Sequence, residues 1–389
     1  MIVPNAPIRS LLTSPTNSAS DSEAQATAKH SAATSATQQH SRLSRKQLLL
    51  YHGFTSEEKA KSAILHFVRS CPNASKFKPL SVLGFGSNGV VLSVLDQSSQ
   101  ELALKIIYKA REGHDSEPTL AEVENLKQIS SQDSSNIILK HVLDFQDSCH
   151  WYLVTEKFGY NWLGLEPSLV LEPLRFSNSQ GKEFELPFSA GCCDLWGWSY
   201  IHRSHSYRTN GTTILPLEPI KAIIRQAAKS LMILHRHGFY HGDIKLENIL
   251  VESTREGGIK LADYGRSKHA SFGIRSYGTL DVSAPELLFD APYLVEDLDG
   301  RACDVFALGM VMFSLLGERG ELPEVVRLIK AKKIGYEFLV RNFGSRFPIN
   351  DIVDLEEGGL DLLESMLRID SSHRLTIEET LAHPFLTSP

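Results

Sequence analysis

Two periods of apolar residues divide the chain. Between about residues 77 and 158 short apolar runs bounded by Gly, Asn, Asp and Ser read as β-strands: Val90 to Leu95, Glu101 to Tyr108, Val142 to Phe145, and Trp151 onward. A helix interrupts them from Thr119 to Ile129. Another precedes them, from Ser56 to about Arg69, where Ala60, Ala63, Ile64, Phe67 and Val68 form one stripe. Thr55 and Glu58 stand at capping-box spacing before it, and Cys71-Pro72-Asn73 ends it. Beyond residue 218 the period is helical. Ile220, Ile223, Ile224, Ala227, Leu231 and Leu234 line one face of Glu218 to His237, with Pro219 in the first turn and Gly238 as the stop. From Asp304 the apolar residues go all round (Val305, Phe306, Leu308, Met310, Val311, Phe313), the mark of a helix at the centre of a domain. Residues 1–45, rich in Ser, Thr, Ala and Gln, carry no period and are expected to be disordered.

At 389 residues the chain has room for one large two-lobed domain or two ordinary ones. A hydrophobic content of 42% and a charged content of 22% fit a soluble globular protein, and the net charge of −6 argues against a nucleic-acid-binding surface. Five cysteines, few and odd in number, suit a reducing compartment better than a disulfide scaffold. The longest strongly apolar run, Ala307 to Leu316, is half the ~20 residues a membrane span needs. No secretory signal opens the chain, so an intracellular protein (cytoplasm, nucleus or both) is expected. Residues 159 to 191, rich in Pro, Ser, Gly and aromatics, read as an insertion without an assigned job. Cys192, Cys193, His202 and His205 match no usual zinc spacing.

The candidate chemistry sits at the junction of the two regimes. His241-Gly242-Asp243-Ile244-Lys245-Leu246-Glu247-Asn248 is followed by a hairpin turning through Glu256-Gly257-Gly258 and then by Asp263-Tyr264-Gly265. One carboxylate to take a hydroxyl proton, a lysine to meet phosphoryl charge, and an amide oxygen with a second carboxylate to hold Mg²⁺ are the parts of a phosphoryl-transfer site. The hairpin brings Asn248 and Asp263 to adjacent strand ends. Upstream, Leu83-Gly84-Phe85-Gly86-Ser87-Asn88-Gly89-Val90-Val91 is glycine-rich and leads into a strand rather than a helix, which favours a β-hairpin lid over phosphates to a dinucleotide fold. Lys105, in the next strand, reads as the cation for the α- and β-phosphates. Glu122 is its expected ion-pair partner; Glu124 lies on another helical face.

In this order these elements resemble the eukaryotic protein kinase family, Ser/Thr type, over residues 77–386. Gly84, Gly86 and Gly89 match its glycine-rich loop, Lys105 and Glu122 its strand lysine and helix glutamate. Asp243, Lys245 and Asn248 match its catalytic loop, Asp263-Tyr264-Gly265 its DFG element, and Ala284-Pro285-Glu286 its APE element. Asp304 and Gly309 look like its buried-helix pair, and Arg374 like the arginine that holds Glu286. The resemblance implies an α+β, two-lobed kinase fold: a small β-rich lobe over about 77–155, a hinge at 156–159, the insertion at about 159–191 and a larger helical lobe over about 192–386. Residues 46–76 would be a helical extension. It implies ATP and Mg²⁺ as cofactors, protein hydroxyls as substrate, a monomer, and no nucleic-acid or membrane partner. Asp243 would orient the hydroxyl and accept its proton, Lys245 would neutralise the moving phosphoryl group, and Asn248 and Asp263 would hold Mg²⁺. The nucleotide would lie among Leu83, Gly84, Phe85, Gly86, Ser87, Gly89, Val91, Ala103, Lys105 and Leu250. Its adenine would bond the backbone at Glu156 and Phe158 behind a small gatekeeper, Thr155, with Asp194 near the ribose. Leu126, Val142, His241 and Tyr264 would stack as a regulatory spine.

Departures from the family pattern bear on regulation. Gly242 stands where many members have an arginine that pairs with a phosphorylated activation loop, so activity independent of phosphorylation between Asp263 and Glu286, at Ser267, Ser271, Ser276 or Tyr277, is expected; Thr279 there matches the threonine that contacts the catalytic aspartate. Asp194 and Glu247 resemble acidic positions that read basic residues before the phosphosite, although Ser314 replaces a further acid. Two alternatives use the same residues: a kinase-fold small-molecule phosphotransferase, which the His-Gly-Asp spelling also suits, and a non-catalytic kinase-like scaffold.

Overall fold

A computed structural model describes residues 57–109, 117–133, 135–166, 172–177, 183–189, 193–274, 278–288, 298–317, 323–349 and 357–387. The expected disordered tail, Thr55, Cys192, Ser276 and Tyr277 lie outside these residues.

The smaller lobe is a five-stranded antiparallel sheet of β1 (Lys78–Phe85), β2 (Gly89–Leu95), β3 (Glu101–Tyr108), β4 (His141–Gln146) and β5 (His150–Glu156), in the order β1-β2-β3-β5-β4. Alternation along β3 decides its two faces. Leu102, Leu104 and Ile106 are buried beneath helix α1 (Glu57–Ser70), while Ala103 and Lys105 point the other way. The stripe read in α1 is the buried face, Ala60, Ala63, Ile64 and Phe67, and Val68 is exposed. A polar bond also fixes this helix, since His66 Nε2 lies 2.9 Å from Asp147 Oδ2 in the β4–β5 turn. That carboxylate also accepts the Tyr152 hydroxyl and the Cys149 and His150 amides; burial opposes its charge, but these bonds hold its pKa down to about 2.

Helix α2 (Glu117–Gln132) packs between the sheet and the larger lobe, with Val123, Leu126 and Ile129 in the large-lobe core. The insertion contributes a hairpin of β6 (Leu174–Ser177) and β7 (Glu183–Leu186), and its apolar residues join the small-lobe core rather than the large one.

The larger lobe is mainly helical: α3 (Leu195–Asn210), α4 (Leu217–Arg236), the short α5 (Pro285–Leu288), α6 (Gly300–Leu316), α7 (Glu324–Lys330), α8 (Tyr336–Phe343), α9 (Glu357–Met366), α10 (Ile377–Ala382) and α11 (Pro384–Thr387). Helix α6 is buried on every side, as its sequence implies, and begins four residues before Asp304 at an Asp299 N-cap. A Cβ at Gly309 would stand 2.9 Å from Leu367 Cδ2, so the close approach of α6 to the end of α9 depends on glycine. Short strands β8 (Phe239–Tyr240), β9 (Ile249–Val251), β10 (Ile259–Leu261) and β11 (Lys268–His269) carry the catalytic-loop candidates across the top of this lobe. Among the described residues no helix is long and apolar enough to cross a membrane.

Candidate active site

Helix α4 ends at Arg236, and β8 delivers the chain to His241 over the N-terminal half of α6. There Asp304, only 1% exposed, accepts the His241 and Gly242 amides at 2.7 and 2.9 Å, which shapes the turn into Asp243. His241 is buried; burial pushes its pKa down against the pull of Asp304 and Asp243. The neutral ring this favours fits its contacts, with Nε2 donating to Ala262 O at 3.1 Å and Nδ1 accepting the Asp243 amide at 3.3 Å. Gly242 takes a left-handed φ of +79°, and a Cβ there would meet Arg266 O at 2.8 Å.

Asp243 is the hub. Its Oδ2 accepts Lys245 Nζ at 2.8 Å and Asn248 Nδ2 at 3.0 Å; its Oδ1 accepts the Thr279 amide at 3.0 Å and the Thr279 hydroxyl at 2.9 Å. Burial alone would raise its pKa, but the Lys245 charge and hydrogen bond outweigh that and lower it. Lys245 also reaches Thr279 Oγ1 at 3.1 Å. The segment carrying Thr279 comes this close because Gly278 has no side chain: a Cβ would lie 2.6 Å from Gly242 O.

The register of β9 against β10 pairs Ile249 with Leu261, and the Ala262 amide donates to Asn248 O at 2.9 Å. Asn248 and Asp263 therefore sit on neighbouring strand ends beside Asp243. Asn248 spends Nδ2 on Asp243, both its carbonyl (2.8 Å) and its carboxylate, which leaves the amide oxygen for another partner. Asp263 has a left-handed φ of +64° and a side chain still 38% exposed. Burial opposes its charge, but Lys105 and Lys245 hold its pKa down to about 2.

Lys105 bridges the lobes, with Nζ 2.6 Å from Glu122 Oε1 and 3.1 Å from Asp263 Oδ1. Burial would favour its neutral form, yet the two carboxylates raise its pKa and keep it charged. Glu122 is buried and Glu124 exposed, as the helical faces required. Burial raises Glu122 to about 7; Lys105 pulls it down and the Asp263 charge pushes it up. Asn125, one turn on, donates from Nδ2 to Ser267 O at 2.5 Å and Tyr264 O at 3.3 Å, tying α2 to the segment after Asp263.

Above the cleft, Gly86 N donates to Gly89 O at 2.8 Å and closes the turn between β1 and β2. Val91, Ala103 and Leu250 are half-buried, and Leu83, Gly84 and Gly86 likewise; Ser87 is exposed. Phe85 is buried instead, against the insertion. Thr155 is buried and its hydroxyl donates to Glu156 O at 3.0 Å. Phe158, in the connector to the larger lobe, is half-buried. Asp194 Oδ1 accepts the Gly197 amide at 2.8 Å as the N-cap of α3, and burial, with Glu247 and Cys193 nearby, raises its pKa well above the usual range.

The expected stack is also incomplete. Val142 is 39% exposed, so it does not stack with Leu126 and Tyr264, which are buried; an irregular register between His141 and Leu143 turns this part of β4 outward. His241 and Tyr264 do meet, with ring centroids 5.1 Å apart. Sequence reasoning also missed Lys260. It is 2% exposed, with Nζ 2.5 Å from Glu156 Oε1 and 3.3 Å from Asn136 Oδ1. Its placement between Ile259 and Leu261 is the only signal, and an apolar-strand lysine ordinarily snorkels to the surface.

In the larger lobe, Arg374 donates to Glu286 through two nitrogens, at 2.8 and 3.0 Å, with both side chains nearly closed to solvent (0% and 6%). The arginine also donates to Ala302 O and Arg368 O.

A model of the protein kinase domain matches residues 200–386. Serine/threonine-protein kinase 33 of Mus musculus is 30% identical over 177 residues, 43% of this chain and 34% of that protein. MAP kinase-interacting serine/threonine-protein kinase 2 of Xenopus laevis is 25% identical over 339 residues, covering 78% of this chain and 60% of the relative. Mouse cyclin-dependent kinase-like 5 is 27% identical over 340 residues, 80% of this chain and 30% of the relative. Residues 200–386 belong to the protein kinase domain family. The family model falls on the larger lobe, and the two longer alignments extend the likeness beyond it. The chain spans between 30% and 60% of the length of these relatives. Its fold is the two-lobed α+β arrangement expected from the motifs, a five-stranded antiparallel sheet over a helical lobe.

Proposed function

We propose that this protein is a Ser/Thr protein kinase that transfers the γ-phosphate of Mg-ATP to protein hydroxyls. The observation that carries the reading is the convergence on one cleft of Asp243, Lys245, Asn248, Asp263 and Lys105, each with the bonding its role requires. Asp243, held low in pKa, is a weak base; it would orient the substrate hydroxyl and take its proton late, with Lys245 and Thr279 fixing its direction. Lys245 would stand against the charge of the moving phosphoryl group, and Lys105, kept protonated by Glu122 and Asp263, against the α- and β-phosphates.

The Asn248 amide oxygen and the Asp263 carboxylate are hard oxygen donors beside two lysines, a set that fits Mg²⁺. Bound there, the ion would neutralise phosphate charge. Gly84 and Gly86 support a ligand independently. Neither has a positive φ, and a Cβ at either would meet nothing within 4 Å, so neither backbone nor packing asks for glycine there. A phosphate approaching the backbone would.

The Glu286–Arg374 pair and the Thr279 contact with Asp243 match parts that in protein kinases form a shelf for a polypeptide substrate, which favours a protein over a small-molecule acceptor. Asp194 is spent on capping α3, so a preference for upstream Arg or Lys rests on Glu247. Independence from activation-loop phosphorylation remains part of the proposal, and it has a structural support. Ser267 is 1% exposed with its hydroxyl donating to His241 O, so it serves as a structural bond rather than a phosphosite. Incubation with labelled Mg-ATP and an unbiased Ser/Thr/Tyr peptide library tests the reading. Label on serine or threonine supports it, and label only on a small-molecule acceptor, or none, overturns it.

A further inference from the structure

The hairpin between the hinge and α3 lies along the free edge of β1, and there it touches the glycine-rich turn. Val82 donates its amide to Pro187 O and accepts the Ser189 amide at its carbonyl, both at 2.8 Å, which makes residues 187–189 a parallel extension of the sheet. Leu174, Phe176 and Leu186 anchor the hairpin in the core it shares with α1, and Arg69 of that helix donates to Ser177 O at 3.1 Å. At its end Phe188, 6% exposed, meets the ring of Phe85 at 5.5 Å.

Phe85 stands between Gly84 and Gly86. From Gly84 to Asn88 it is the buried side chain, at 3% exposure, while Ser87 and Asn88 are exposed. A turn of glycines and small polar residues has many conformations to lose when a ligand orders it. One buried aromatic, seated against a hairpin that is itself hydrogen-bonded to β1, removes part of that freedom in advance.

We propose that this hairpin is a strap that fixes the glycine-rich turn over the cleft, and that Phe188 is a positioning residue for nucleotide binding. The inference rests on the ATP reading above, but its structural half does not. The decisive variant in the full chain is Phe188→Leu, which keeps the site apolar and the lobe folded while removing the ring contact. Amide exchange over residues 83–88 should quicken in this variant without any nucleotide present. Nucleotide affinity should weaken about three- to tenfold, the worth of an aromatic pair. KM for ATP should rise by a similar factor with kcat held. Phe85→Leu should behave the same way, and the double variant should be no worse than either single one. Unchanged exchange and affinity in Phe188→Leu, or effects of the two variants that simply add, would overturn the strap. If the wild-type chain binds no nucleotide, the function reading fails, and the exchange comparison alone then decides for or against the strap.

Discussion

The three glycines of the glycine-rich turn are of two kinds, Gly89 on one side and Gly84 with Gly86 on the other, and one pair of variants separates them. A Cβ at Gly89 would stand 2.5 Å from Ile106 O, in the register where β2 meets β3. Ordinary contact needs most of an ångström more, so the central strands of the small lobe must part. Forced overpacking of this kind costs about 1–3 kcal/mol, enough to lower the melting temperature by several degrees. Gly86 offers the opposite case, with nothing within 4 Å and no positive φ. Gly86→Ala should leave stability unchanged or raise it by about 0.4–1 kcal/mol, because alanine narrows the unfolded ensemble. If a phosphate approaches that backbone, the same methyl group should weaken nucleotide binding several-fold. Thermal melts of both variants, followed by titration with a nucleotide analogue, give the two readouts. The reasoning is refuted if Gly86→Ala melts as early as Gly89→Ala, or if it binds nucleotide as tightly as the wild type.

Further outcomes follow from the same geometry. Removing one partner of the buried Glu286–Arg374 pair, as in Arg374→Ala, should cost about 3–5 kcal/mol in denaturant unfolding, because Glu286 would be left charged and closed off. Glu122 makes a pH prediction with two signs. Its pKa of about 7 lies above its ordinary value of 4.5, so its contribution to fold stability is present at low pH and lost as pH rises through about 7. Its ion pair with Lys105 runs the other way, since the carboxyl is neutral in acid. Nucleotide affinity should therefore fall as pH drops below about 7 while the fold does not weaken on this account, and Glu122→Gln should flatten that limb; a limb unchanged in Glu122→Gln would assign it elsewhere. Among candidate phosphosites, Ser271→Ala should leave turnover intact, whereas Thr279→Ala should reduce it by loosening Asp243. Loss of turnover in a folded Ser271→Ala protein would contradict phosphorylation-independence.

Much of the site could be read from the chain because its chemistry is local. Asp243 to Asn248 is one turn of backbone, and a hairpin of predictable register returns Asp263 beside it. Helical phase favours Glu122 over Glu124, and burial of the one with exposure of the other follows that phase. What stayed hidden depends on long-range packing. The family pattern puts Val142 in a buried stack, but an irregular register in β4 turns it out. The insertion has two strands of four residues each, too short for periodicity to reveal which lobe they join. Lys260 is buried only because Glu156 and Asn136, over a hundred residues away in sequence, meet it.

The central claim is that Asp243 directs a hydroxyl toward a phosphoryl group held by Lys105, Asn248 and Asp263. Its most direct test compares phosphate transfer from Mg-ATP to a peptide by the wild-type chain and by Asp243→Asn, with nucleotide affinity measured alongside. The account predicts transfer by the wild type, a loss of about 10²–10⁴-fold in the variant, and retained nucleotide binding. Transfer undiminished in Asp243→Asn, or a folded, nucleotide-bound wild type that transfers nothing, would contradict it.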